Sequence, residues 1–230
     1  MTEGLFDELL VVELSAGVAG AYCSLLFRHL GAEVVRVETP AIDGGRTEVL
    51  PYMSHLSAGK KSITLDASTP ESGDVLLGLA EHADILVADM PLPPGLDYAA
   101  LSRQNPRLIL TLITPPEPDG DGLFAQYLTG LNAFAATMLP LVNMSILGRG
   151  QEVRIDGAEC LAAATFAVDA PGEWPSSEGG TTFPLPPFRL TGLTPLSPLS
   201  TPGEHNDEVY CGLLGLSGEE LARFKEAGVI

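Results

Sequence analysis

The chain has 230 residues, enough to bury a sizeable core, and 45% of them are hydrophobic against 18% charged, which excludes a disordered chain. Twelve basic residues stand against thirty acidic ones, for a net charge of −18. That field repels nucleic acid and anionic lipid, whose attraction to proteins comes from Lys and Arg, and leaves small molecules and other proteins as partners.

The apolar run from Glu8 to Leu14 predicts a first strand, followed by a small-residue turn, Ser15-Ala-Gly-Val-Ala-Gly20. Tyr22, Leu25, Leu26, His29 and Leu30 fall at helical spacing, and Gly31 closes that helix. Strands are predicted from Glu33 to Glu38 and from Ser62 to Asp66. Thr69 then reads as an N-cap and Pro70 as a first-turn residue of a helix running through Val75 to His82. Asp84 to Ala88 and Arg107 to Leu112 are two further buried strands. Continuous apolar strands with helices between them predict an α/β fold, a Rossmann-like parallel sheet covered on both faces.

Leu131 to Leu147 approaches membrane-spanning length, but Asn132, Pro140, Asn143 and Ser145 interrupt it and no basic anchors flank it, so it predicts a buried helix and no membrane partner. A strand from Glu152 to Ile155 and a helix from about Ala158 to Val168 follow. From Ala170 to Glu204 the composition turns to Pro, Gly, Ser and Thr, which predicts an extended connection, with Phe183, Phe188 and Leu190 lying along the body. Ser217-Gly-Glu-Glu220 is a capping box ahead of Leu221 and Phe224. Cys23, Cys160 and Cys211 share no short spacing, which predicts buried free thiols with no metal site and no disulfide framework. Met1 to Glu8 lacks a basic stretch and reads as no signal peptide, so a cytoplasmic location is expected.

Seven stretches taken in order carry a family resemblance. They are Leu10 to Gly20 with Leu30 to Glu38; Asp43-Gly-Gly-Arg46; Gly59-Lys-Lys-Ser-Ile-Thr-Leu-Asp66; Ala83-Asp-Ile-Leu-Val87; Asn105-Pro-Arg-Leu-Ile109; Gly148-Arg-Gly-Gln-Glu-Val153; and a closing set, Gly203 to Val209, Leu214 to Ser217 and Ala227 to Ile230. Together they resemble the family III CoA-transferases, the group of formyl-CoA transferase, carnitine CoA-transferase and alpha-methylacyl-CoA racemase. The resemblance runs from about residue 8 to 168 and resumes at about 184. It implies that family's large domain without its small domain: a body at 1–169, a Pro-rich connection at 170–203, and a C-terminal helical segment at 204–230 packing on the body.

The resemblance also implies a chemistry, in which an Asp carboxylate attacks an acyl-CoA thioester four residues before a Gly that begins the central helix. Counting back from Gly150-Gln151 places that Gly at Gly130 and the nucleophile's position at Gln126. An amide does not replace an ionised carboxylate at neutral pH, which implies a pseudoenzyme, a non-catalytic subunit that binds acyl-CoA. The competing reading is an active acyl-CoA transferase or racemase-type enzyme using another acid, for which Asp119, Asp121, Asp156 and Glu159 are the candidates. None of His29, His55, His82 or His205 lies in a motif that matches the racemase base.

Coenzyme A or an acyl-CoA is the implied ligand, with no covalently bound cofactor. Gly17, Val18, Ala19 and Gly20 would approach the nucleotide, with Lys60, Lys61 and Arg46 beside its phosphates. Against this, Asp89-Met-Pro-Leu-Pro93 stands where the family carries N-F-R-P-G, which implies weakened CoA affinity. The implied partner is a second copy in a homodimer, or a full-length homologue. A dehydrogenase reading rests on Gly17-x-x-Gly20 and Glu38, and fails the fingerprint because the leading G-x-G is missing.

Overall fold

The computed structural model describes residues 4–38, 51–66, 69, 72–116, 122–165, 188–190, 207–213 and 215–226. The first unit runs β1 (Leu10–Leu14), α1 (Val18–His29), β2 (Glu33–Glu38), α2 (Pro51–Ser57), β3 (Lys61–Thr64), α3 (Ser72–His82), β4 (Ile85–Ala88), α4 (Tyr98–Gln104), β5 (Ile109–Thr114), α5 (Gly122–Leu147), β6 (Glu152–Asp156), α6 (Gly157–Thr165) and β7 (Phe188–Leu190). The strand order is β3-β2-β1-β4-β5-β6-β7; the first six are parallel, and β7 joins β6 antiparallel at the edge. The order reverses between β1 and β4, where Val11 pairs with Ile85 and Leu14 with Ala88. In a doubly wound sheet that reversal opens a crevice beyond the carboxyl ends of the two strands.

Alternation along the strands sorts the core onto two faces. Val11, Ile85, Val87 and Ile109 pack with Ala19, Cys23 and Phe27 of α1 and Ala133 and Ala136 of α5. Val12, Leu14, Leu86 and Leu110 pack with Leu76 and Ala80 of α3 and Leu101 of α4. Each fully buried Leu or Val contributes about 1.5–3 kcal/mol of transfer free energy. Helices α1 and α5 touch backbone to backbone at Gly130, where a Cβ would lie 2.5 Å from the Ala19 carbonyl oxygen. On either side of that contact, Tyr22 meets Tyr127 edge-on at 4.8 Å between ring centroids, and Phe27 meets Phe134 at 4.7 Å.

Every strand predicted from Glu8 to Ile155 is present, with ends shifted by a residue or two. Helices α2 and α4 have no counterpart in the sequence reading. Helix α5 begins at Gly122, nine residues ahead of the predicted Leu131, because Gly130 serves the contact with α1 and does not stop the helix. Of the Pro-rich tract only Phe188–Leu190 is described, and it is extended as expected, hydrogen-bonded along β6. Phe183, Asp119, Asp121, Arg46 and His205 lie outside the described residues. No helix among the described residues is long and apolar enough to cross a membrane.

The second unit contains a π-helical stretch, Asp207–Leu213, and α7 (Gly218–Glu226). The capping box of α7 is formed in both directions. The Ser217 N–H donates to Glu220 Oε2 at 2.9 Å, and the Glu220 N–H donates to Ser217 Oγ at 3.3 Å.

Candidate functional site

The turn from β1 into α1 lies at the switch-point crevice. Gly17 is extended there, and as N-cap it has no side chain to offer the orphan N–H groups of the helix. Two distant residues take that role. Asp89, the residue after β4, accepts from the Ala16 N–H (2.7 Å to Oδ1) and from the N–H groups of Gly17 and Gly20 (each 3.1 Å to Oδ2). Gln126, in the second turn of α5, accepts from the Val18 N–H at 3.0 Å through Oε1. Both side chains come close to the turn's glycines: a Cβ on Gly17 would lie 3.1 Å from Asp89 Oδ2 and 3.3 Å from Gln126 Oε1, a tight fit, and one on Gly20 would lie 2.7 Å from Ser15 Cβ and 2.9 Å from Asp89 Oδ2, too close without a shift. Asp89 is buried, and that burial pushes its carboxyl above the usual range although the three N–H donors pull the other way.

A charged cluster lies beneath α1. Glu13, on β1, is fully buried and accepts from Lys60 Nζ (2.6 Å), Ser24 Oγ (2.6 Å) and Ser15 Oγ (2.5 Å), with Arg36 Nε at 3.5 Å. Lys60 Nζ donates further to the Ala21 carbonyl oxygen (2.7 Å) and Ser24 Oγ (2.8 Å). Burial pushes the Lys60 ammonium below the usual lysine range, opposed by Glu13. Cys23, packed beside this cluster, is pushed up by burial, which makes it an inert thiol.

Next to the turn is a cavity of about 480 Å³ between the ends of β4 and β5 and the start of α4. Its walls include Met90, Leu92, Leu96 and Leu112, with Asp89, Asp97 and Arg154 as charged residues on the lining.

The structure therefore brings Gly17, Val18, Ala19, Gly20 and Gln126 to one place. It separates the two lysines. Lys60 is buried with its ammonium bonded under α1, and Lys61 is exposed on β3, paired with Glu33 at 2.6 Å. Asp156 caps α6, accepting from the N–H groups of Ala158 (2.9 Å) and Glu159 (3.1 Å). Asp89 is the residue that sequence reasoning counted only as a loss. The signal was an acid placed directly after a buried strand, opposite a turn of small residues.

The model of CoA-transferase family III matches residues 6–122. Succinyl-CoA:mesaconate CoA-transferase of Haloarcula hispanica is 32% identical over 125 residues, covering 48% of this chain and 32% of that protein. The beta subunit of succinyl-CoA–L-malate CoA-transferase of Chloroflexus aurantiacus is 26% identical over 191 residues, 62% of this chain and 46% of that protein. The chain thus spans a third to a half of the length of these relatives. Among solved structures, the hypothetical protein Rv3272 from Mycobacterium tuberculosis superposes with a TM-score of 0.61 at 21% identity, covering 71% of this chain and 59% of that one, a likeness of fold.

Proposed function

The chain belongs to CoA-transferase family III, and from that premise we propose that it binds CoA thioesters at the switch-point crevice and does not itself transfer the acyl group. The observation that carries this reading is Gln126. Its amide oxygen is held by the Val18 N–H at 3.0 Å, at the position that the resemblance reserves for a carboxylate nucleophile. An uncharged amide attacks a thioester poorly and forms no mixed anhydride, so the first covalent step has no agent at this position. The rival reading, rescue by another acid, draws no support from Asp156, whose carboxylate is committed to the first turn of α6.

Ligand contacts in this proposal come from the turn Gly17–Gly20 and from the 480 Å³ cavity beside it. Neither lysine is an open phosphate contact at the crevice: Lys60 is bonded to Glu13 under α1, and Lys61 is paired with Glu33 at the amino end of the sheet. A full-length homologue is the proposed partner that supplies the missing carboxylate, and the Chloroflexus relative, itself a beta subunit, supports that arrangement.

Native mass spectrometry of the purified chain with CoA and a panel of short acyl-CoAs tests the reading. A noncovalent complex without adduct is expected. A covalent acyl or CoA adduct on the chain would sink it, and absence of any complex would remove CoA as the ligand.

A further inference from the structure

The N-terminus of a helix attracts anions because its first N–H groups lack partners and its dipole favours negative charge. At the start of α1 most of those groups are already engaged. Ala16, Gly17 and Gly20 donate to Asp89, and Val18 donates to Gln126. An incoming phosphoryl or carboxylate group would find the N–H groups of Ala16, Gly17, Val18 and Gly20 committed, and would meet a carboxylate beside them.

Asp89 also lines the neighbouring cavity, together with Asp97 and Arg154. An ionised carboxylate has about four acceptor positions, and three backbone donors use three of them. The remaining capacity suits a hydrogen-bond donor, such as an amide N–H or a thiol, entering along walls made of Met90, Leu92, Leu96 and Leu112. A second anion at this point would be repelled by Asp89 and by Asp97 on the same lining, with Arg154 as the opposing cation.

We propose that Asp89 is the chain's own occupant of the anion position at α1, and that it makes the crevice select the uncharged end of a CoA thioester and reject anionic groups there. The selectivity rests on the CoA reading given above; the occupied turn does not.

The test uses the full chain, labelled for amide NMR, as wild type and as Asp89→Asn. Millimolar inorganic phosphate should leave the amides of Ala16, Gly17 and Gly20 unmoved in the wild type and shift them in the variant, where the charge is gone and an amide nitrogen faces one of the three N–H groups. Propionyl-CoA and malonyl-CoA, whose acyl ends differ by a methyl against a carboxylate, should bind the wild type with at least a tenfold preference for propionyl, equivalent to about 1.4 kcal/mol. That preference should collapse in Asp89→Asn. Phosphate shifts of the three amides in the wild type would overturn the proposal, as would a thioester preference that is the same in both proteins. If neither thioester binds either protein, the CoA reading and the selectivity fall together, while the phosphate titration still decides whether the turn is occupied. If the variant does not fold, the wild-type titration and thioester ratio decide alone.

Discussion

Glu13→Gln isolates the buried charge cluster under α1. Glu13 sits between two cations there, with Lys60 Nζ at 2.6 Å and Arg36 Nε at 3.5 Å, and the side chains of Lys60 and Arg36 are 1% and 4% exposed. The isosteric amide keeps an acceptor oxygen but leaves the buried Lys60 ammonium without its carboxylate, while Arg36 keeps Glu38 at 3.9 Å. Removing one partner of a buried ion pair costs about 3–5 kcal/mol. The retained amide oxygen points to the lower end, about 3 kcal/mol, which for a chain of this size lowers Tm by about 6–12 °C. The loss should depend on pH. Burial holds the folded Lys60 below the usual range, and Glu13 is the main influence working against it. Without Glu13 the depression deepens. Between the folded value and the unfolded value of about 10.4 the unfolded chain binds more protons, so stability rises with pH across that window. The gap between Glu13→Gln and wild type should therefore be largest near neutrality and narrow toward pH 10. Urea melts of both proteins at several pH values measure it. A loss under about 1 kcal/mol at neutral pH, far below the cost of an unpaired buried charge, or a gap that does not narrow, would refute the reasoning.

Three further outcomes are expected. Gly130→Ala places a methyl 2.5 Å from the Ala19 carbonyl oxygen and should destabilise the chain by about 1–3 kcal/mol in thermal melts, as overpacking does. For Asp89 the folded carboxyl lies above its unfolded value of about 3.9, burial being the largest cause, so its contribution is full below that value and is lost as pH rises through the folded one. Wild type should accordingly lose stability relative to Asp89→Asn as pH climbs from about 4 toward neutrality; a flat difference would show that the N–H donors outweigh burial. Gln126→Asp alone sets a second carboxylate across Gly17 from Asp89, where like charges drive one of the two to hold a proton. Mass spectrometry with acyl-CoA should then find more covalent adduct in Gln126→Asp combined with Asp89→Asn than in Gln126→Asp alone.

The sheet was legible because each strand is an apolar run too short for a helix and bounded by turn residues, as in DILVA from Asp84 to Ala88. The front of α5 was not. Thr129-Gly130 looks like a break, yet Thr129 is buried with its hydroxyl on the Ala125 carbonyl, and Gly130 is bare so that α1 can approach. Helices α2 and α4 are seven residues each, below the length at which periodicity speaks. Lys60 and Lys61 are indistinguishable as sequence, and only tertiary structure parts them. Their separation had one legible sign. Glu13 stands inside the buried run of β1, and an acid there needs a cation.

The same logic explains why the crevice follows from strand order and its chemistry does not. Any sheet ordered β3-β2-β1-β4-β5-β6 has a reversal between β1 and β4, so a cleft and a helix N-terminus beside it follow from topology alone. What fills that N-terminus is set by side chains 73 and 108 residues away, Asp89 on its Ala16 partner and Gln126 on its Val18 partner. Neither is recognisable until the turn is seen to lie against both. The carboxylate stands on the β4 side of Gly17 and the amide on the α5 side, and this placement, rather than the fold, decides which charge the crevice presents.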